Sequence, residues 1–162
     1  MKDVTPARFS LFAAGINKPS SQRPYKQGTL KDVYCWMNSM KMMKLTEQLR
    51  GIKDEKEQKL FKASFLPFAT FSGTFAYRNQ NGLLQHSGLL CFDFDHLGGN
   101  ENLWKARHLL EQDRYFETML MFTSPRGDGV KWGYAYRPLS WFPRKMVSSR
   151  AQLSPPDLWF GG

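Results

Sequence analysis

The sequence predicts an α+β fold: a helical N-terminal region ahead of an antiparallel or mixed sheet. Two observations carry this. Leu30, Val33, Met37 and Met40 recur at helical spacing, whereas from residue 65 onward the apolar residues come in short β-prone runs separated by Gly and Asn. A period near 3.6 thus gives way to strand-like segments.

In chain order, Phe9-Ser10-Leu11-Phe12 reads as a short strand, followed by a polar loop rich in Pro and Ser up to Gly28. Thr29 stands in an N-cap position with Asp32 three residues on, the spacing of a capping box, so a helix is expected to start there. Its Met and aromatic stripe is read as core. Thr46 is expected to cap a second helical segment through Ile52, and residues 54–62 form a charged third one. Residues 68–75 are β-prone, and Asn79-Gln80-Asn81-Gly82 ends in the Asn-Gly pair favoured by tight hairpins. Leu83 leads into Leu89-Leu90-Cys91-Phe92-Asp93-Phe94-Asp95, an apolar run read as a buried strand. Asn100 is expected to cap a helix whose Leu103, Ala106 and Leu110 share a face. Residues 115–123 return as a strand, a glycine loop follows, and residues 130–136 form the last strand. The domain is therefore placed at 1–136, with a basic helical region at 28–62 and the sheet at 65–136. Residues 137–162 lose periodicity and read as an irregular tail.

Composition bounds the class. At 162 residues, 41% hydrophobic and 23% charged, the chain suits one globular domain with a single core. Its apolar stretches are a few residues long, which excludes a membrane-spanning helix. The start, Met1-Lys2-Asp3-Val4-Thr5-Pro6, lacks the layout of a signal peptide, so a cytoplasmic location is expected. Cys35 and Cys91 lie in apolar contexts without metal-ligand spacing and are expected as reduced thiols. The net charge of +9 is uneven: residues 1–62 carry 13 basic and 6 acidic side chains, residues 63–123 carry 4 and 6, and residues 124–162 carry 6 and 2. Such a surface attracts polyanions by counterion release, and nucleic acid is the commonest of these.

Candidate chemistry concentrates in two places. In a strand, residues two apart lie on one face about 6.5 Å apart at Cα, so Asp93 and Asp95 are expected to project together while Phe92 and Phe94 pack on the other side. Two close carboxylates repel unless a cation neutralises them, and hard divalent ions suit oxygen ligands. The second place is Ser124-Pro125-Arg126-Gly127-Asp128-Gly129-Val130-Lys131. Gly127 and Gly129 let backbone N–H groups approach a phosphate, and Arg126 and Lys131 could neutralise it. The spacing is not that of a Walker A loop. Together, carboxylates would hold a metal, the metal a triphosphate, and the loop the remaining phosphate oxygens.

Residues 62–75 (Lys-Ala-Ser-Phe-Leu-Pro-Phe-Ala-Thr-Phe-Ser-Gly-Thr-Phe), then residues 86–95 (His-Ser-Gly-Leu-Leu-Cys-Phe-Asp-Phe-Asp) and then Ser124 to Lys131 resemble the VirE N-terminal domain family. That family is a branch of the archaeo-eukaryotic primase superfamily, the primase–polymerases of bacterial mobile elements. The resemblance spans about residues 5–136. It implies a primase-like (RRM-like) sheet and a nucleotidyltransferase module of a mobile-element replication protein. Asp93 and Asp95 would be catalytic and would bind Mg²⁺ or Mn²⁺. Ser124 and Lys131 match the nucleotide-contacting motif, with Lys131 where many relatives place His. The implied partners are single-stranded or template–primer DNA, nucleoside triphosphates and a helicase domain or protein, with no membrane. The superfamily's further acid on a later strand has no counterpart, since Asp157 is the only acid after Asp128. A truncated or frame-shifted member is therefore expected.

Other readings stay open. One is a non-catalytic nucleic-acid or nucleotide-binding domain. Another is a phosphohydrolase of the haloacid-dehalogenase type, although Leu97 stands where that class expects Thr or Val. A zinc site from His86, His96 and His108 would draw on three dissimilar segments. His86 either orients the metal site from behind its ligands or is structural.

Overall fold

A computed structural model describes residues 6–15, 19–135 and 146–147. The fold is α+β, with the strands divided among three sheets. The central strand β1 (Phe9–Phe12) pairs antiparallel with β2 (Lys26–Gly28) on one side and β3 (Phe68–Thr70) on the other. The hairpin β4 (Gly73–Phe75) and β5 (Leu83–His86) closes through a single helical turn at Gln80–Gly82. Ser10 ties it to β1: its hydroxyl accepts from the Phe75 N–H at 2.8 Å. The third sheet has the order β6 (Leu89–Phe94), β8 (Val130–Ala135), β7 (Thr118–Thr123), β9 (Met146–Val147). It is mixed, because β9 runs parallel to β7.

The helices are α1 (Pro19–Gln22), α2 (Leu30–Met37), α3 (Met40–Gly51), α4 (Glu55–Phe65) and α5 (Asn100–Glu111). α2 begins at the expected capping box: Thr29 Oγ1 accepts from the Asp32 N–H, and the Asp32 carboxylate accepts from the Thr29 N–H at 2.8 Å. Those bonds from Thr29 hold the Asp32 carboxyl below the usual carboxylate range. Leu30, Val33 and Met37 are buried as expected, but Met40 is exposed, because the chain breaks at Asn38–Ser39 and Met40 opens the next helix. Ser39, not Thr46, caps α3, accepting from the Met42 N–H. Thr46 lies inside that helix with its hydroxyl donating to the Met42 carbonyl at 2.8 Å, the backward bond that lets a threonine sit mid-helix. Asp54 caps α4 by accepting from the Glu57 N–H. Gly99 is the cap residue of α5, and Asn100 is its first helical residue.

Two cores flank the third sheet. The larger contains Phe9 and Leu11 of β1, Val33 and Met37 of α2, Met42 and Leu49 of α3, and Leu120 and Phe122 of β7. The smaller gathers Leu103 of α5 with Met121, Val130, Trp132 and Tyr134 on the opposite face. β7 is buried along its whole length. The expectation that the 89–95 run is a buried strand is corrected: β6 is an edge strand, and Leu89 alone of its six residues is buried. Its aromatic side chains remain exposed, with Phe92 stacked on Tyr134 at 5.6 Å.

Cys35 and Cys91 are free. Among the described residues, no helix is long and apolar enough to cross a membrane. The opening residues 1–5 lie outside the described residues, as does the expected irregular tail apart from Met146–Val147, which lie opposite Leu120 and Met121.

Candidate functional site

The antiparallel register of β6 and β8 sets Asp93 directly opposite Lys131, and the register of β8 and β7 sets Lys131 opposite Phe122. Since side chains alternate across a sheet, these residues share the face that carries Phe122 into the larger core. Lys131 is 6% exposed, and its Nζ donates to the Asp93 carboxylate. Burying a lysine needs such a partner, because an unpaired ammonium in a core is strongly disfavoured. Asp95 lies one residue beyond β6. The following His96 takes a left-handed conformation, φ 57°, which turns the chain away from the sheet.

The glycine loop folds back against this strand end. The Ser124 N–H donates to the Gly129 carbonyl at 2.7 Å and the Gly127 N–H to the Ser124 carbonyl at 2.9 Å. The buried Ser124 hydroxyl donates to Asp128 Oδ1 at 3.1 Å. Gly127 has φ 85°, in the region that favours glycine. Gly129 is required for another reason. A Cβ there would lie 2.4 Å from the Phe94 carbonyl oxygen and 3.2 Å from Asp95 Oδ1. The absence of a side chain lets the basic loop touch the acidic strand end.

Ion pairs fasten the loop to the helices. Arg50 Nε of α3 donates to the Pro125 carbonyl at 3.2 Å. Arg126 reaches Glu55 Oε1 of α4 at 3.3 Å and Asp128 Oδ2 at 3.6 Å. His96 Nδ1 approaches the same Asp128 oxygen, Oδ2, at 3.4 Å. Lys62 of α4 completes the cluster. Burial pulls its ammonium below the usual lysine range, Lys131 and Arg126 push it the same way, and Asp93 and Asp95 pull it back.

Thus Asp93, Asp95, Ser124, Arg126, Gly127, Gly129 and Lys131 come together at one end of the third sheet. His86 is elsewhere, exposed on β5 in the hairpin. His96 pairs with Asp128 and His108 stacks on Trp104 of its own helix at 5.3 Å, so the three histidines lie on separate elements with separate partners. As a metal donor set, the cluster offers Asp93, engaged by Lys131, and Asp95, which has no ion-pair or hydrogen-bond partner among the described residues. Two carboxylates suit a hard cation that keeps waters or phosphate oxygens in its remaining positions. Among the described residues, no group of three or more His, Cys, Asp or Glu side chains is gathered to hold a metal. Sequence reasoning missed Lys62 and Arg50, whose places depend on how α3 and α4 dock. The one available signal was their position in the basic helical region.

Comparison with known proteins places this cluster within a family. No curated protein and no solved structure gives a match. The family model of the BT4734-like N-terminal domain matches residues 60–141, a stretch that includes Lys62, both aspartates and the glycine loop. The chain belongs to the BT4734-like N-terminal domain family.

Proposed function

We propose that the chain is a nucleotidyltransferase-type module of the primase–polymerase kind, with an RRM-like sheet, working in the cytoplasm within a mobile-element replication protein beside a helicase. The observation that carries this reading is the Asp93–Lys131 register, which sets the acidic pair and the basic loop at the same end of one sheet. The motif resemblance to the primases supports it.

Asp93 and Asp95 would hold a Mg²⁺ or Mn²⁺, which would supply positive charge to offset that of a nucleoside triphosphate. Lys131 neutralises Asp93, and its ammonium would be free to donate to a phosphate oxygen if that carboxylate held a cation. Arg126, with its guanidinium held between Glu55 and Asp128, adds positive charge beside it. Lys62 contributes a third cation from α4. The excess of base over acid in residues 1–62 provides a surface for the DNA backbone.

A second reading, a non-catalytic nucleotide- and DNA-binding domain, is favoured by the two-carboxylate donor set, because two-metal phosphoryl transfer normally draws on a further acid. Incorporation of labelled nucleotide on a primed template separates the two. The chain is expected to bind nucleotide with metal and to bind DNA with an affinity that falls as salt rises, while extending primers weakly or not at all. Robust template-dependent incorporation, abolished by Asp93→Asn, would establish the full enzyme. DNA affinity that is absent at low ionic strength or indifferent to salt would count against both readings.

A further inference from the structure

A second feature adjoins the site through Lys62. Between α4, the segment following β1, and Phe68 of β3 lies a cavity of about 250 Å³, just below the usual range for drug-sized ligands and ample for a phosphate group. Part of its wall is small and apolar, with Ala13 and Gly15 facing α4. The Gly15 N–H donates to the Ala63 carbonyl at 3.1 Å, with φ 137° at Gly15, which holds this wall against the helix. The charged groups of the lining are all cationic: Lys59, Lys62 and Arg78. Lys59 is shared with Glu55 at 3.1 Å. Lys62 and Arg78 have no carboxylate partner among the described residues. Arg78 is held by stacking instead: its guanidinium lies 4.0 Å over the Phe68 ring, which stacks on Phe12 at 4.8 Å. A planar guanidinium stacked on an aromatic ring and a half-buried ammonium, neither in a salt bridge among the described residues, form an anion receptor. A guanidinium fork in particular matches phosphate oxygens.

We propose that this cavity binds a phosphate group, with Arg78 and Lys62 as its main donors. Lys62 serves both the cavity and the Asp93–Asp95–Lys131 cluster, so a phosphate held here sits beside the candidate site. The two sources of that chemistry are a free nucleotide and the 5′-terminal phosphate of a DNA strand. The choice of these sources rests on the function proposed above. The anion receptor itself needs no metal at Asp93 or Asp95.

The experiment is a calorimetric titration of the full chain without divalent ions. The probes are tripolyphosphate, a nucleoside triphosphate, and one oligonucleotide in 5′-phosphorylated and 5′-hydroxyl forms. The proteins are wild type, Lys62→Gln and Arg78→Gln, each checked for fold by circular dichroism. Charge-assisted bonds of this kind predict that Lys62→Gln and Arg78→Gln each weaken binding by about tenfold or more. Lys62→Gln keeps the test valid if loss of Arg78 disturbs Phe68. Tighter binding of the triphosphate than of the oligonucleotide identifies a nucleotide site; discrimination between the two oligonucleotides identifies a strand-end site. No binding of any phosphate probe, or equal binding by wild type and both cation variants, overturns the proposal. A failed metal titration with intact metal-free phosphate binding would strike the primase reading and leave the cavity assignment standing. Metal-dependent nucleotide binding indifferent to Lys62 and Arg78 would do the reverse.

Discussion

Replacing Lys131 by Met separates a structural ion pair from a functional one. The substitution keeps most of the buried stem and removes the charge that neutralises Asp93. The pair is intermediate in burial: Lys131 is almost fully enclosed, while the Asp93 side chain is 44% exposed. Exposed pairs are worth up to ~1 kcal/mol, and breaking a fully buried one costs about 3–5 kcal/mol. A coupling of about 1.5 kcal/mol follows for this half-buried case, and ~1.4 kcal/mol is tenfold in affinity. Because Lys131 competes with any cation for Asp93, Lys131→Met should bind Mn²⁺ alone about tenfold more tightly than wild type. The same variant should bind the metal–triphosphate complex more weakly, having lost a phosphate donor. Paramagnetic titration of free Mn²⁺, with and without nucleotide, reads both effects. If Lys131 serves only the fold, unfolding shifts and neither affinity moves. Mn²⁺ affinity unchanged or weakened in a folded Lys131→Met protein would refute the reasoning.

Gly129→Ala should destabilise the chain by about 1–3 kcal/mol, the range for overpacking, because the new methyl would stand 2.4 Å from the Phe94 carbonyl oxygen; it should also weaken Mn²⁺ binding by moving the loop against Asp95. Urea unfolding checks the first effect. Gly51→Ala, where nothing lies within 4 Å of an added Cβ, should leave stability unchanged or slightly raised. Thr29→Ala should cost about 1 kcal/mol by removing the cap of α2. Thr29 holds the Asp32 carboxyl below its ordinary value, so the cap's contribution is full above the unfolded carboxylate pKa and is lost as pH falls through the folded one. The gap between wild type and Thr29→Ala should therefore narrow on acidification, as read by denaturation at a series of pH values.

Local chemistry was legible in the sequence, and tertiary approach was not. The Thr29–Asp32 box and the strand from Leu89 to Phe94 follow from spacing and side-chain type alone. Thr46 misled because the same hydroxyl that caps a helix also bonds backward within one. The edge position of β6 was hidden for a different reason: an apolar run reads as buried, yet Phe92 stays exposed at the edge and packs one ring face on Tyr134. The facing of Asp93 and Lys131 needs the strand order β6-β8-β7, a pairing across 38 residues that no short-range pattern encodes. Lys62 read as part of a charged helix, and only the docking of α4 brings it near the aspartates.

The central claim, that Asp93 and Asp95 together hold a divalent cation, is tested most directly by titrating Mn²⁺ into wild type and Asp93→Asn/Asp95→Asn while following the signal of free Mn²⁺. Loss of binding in the double variant, with its fold retained, is the predicted result. Equal Mn²⁺ binding by the two proteins would contradict it.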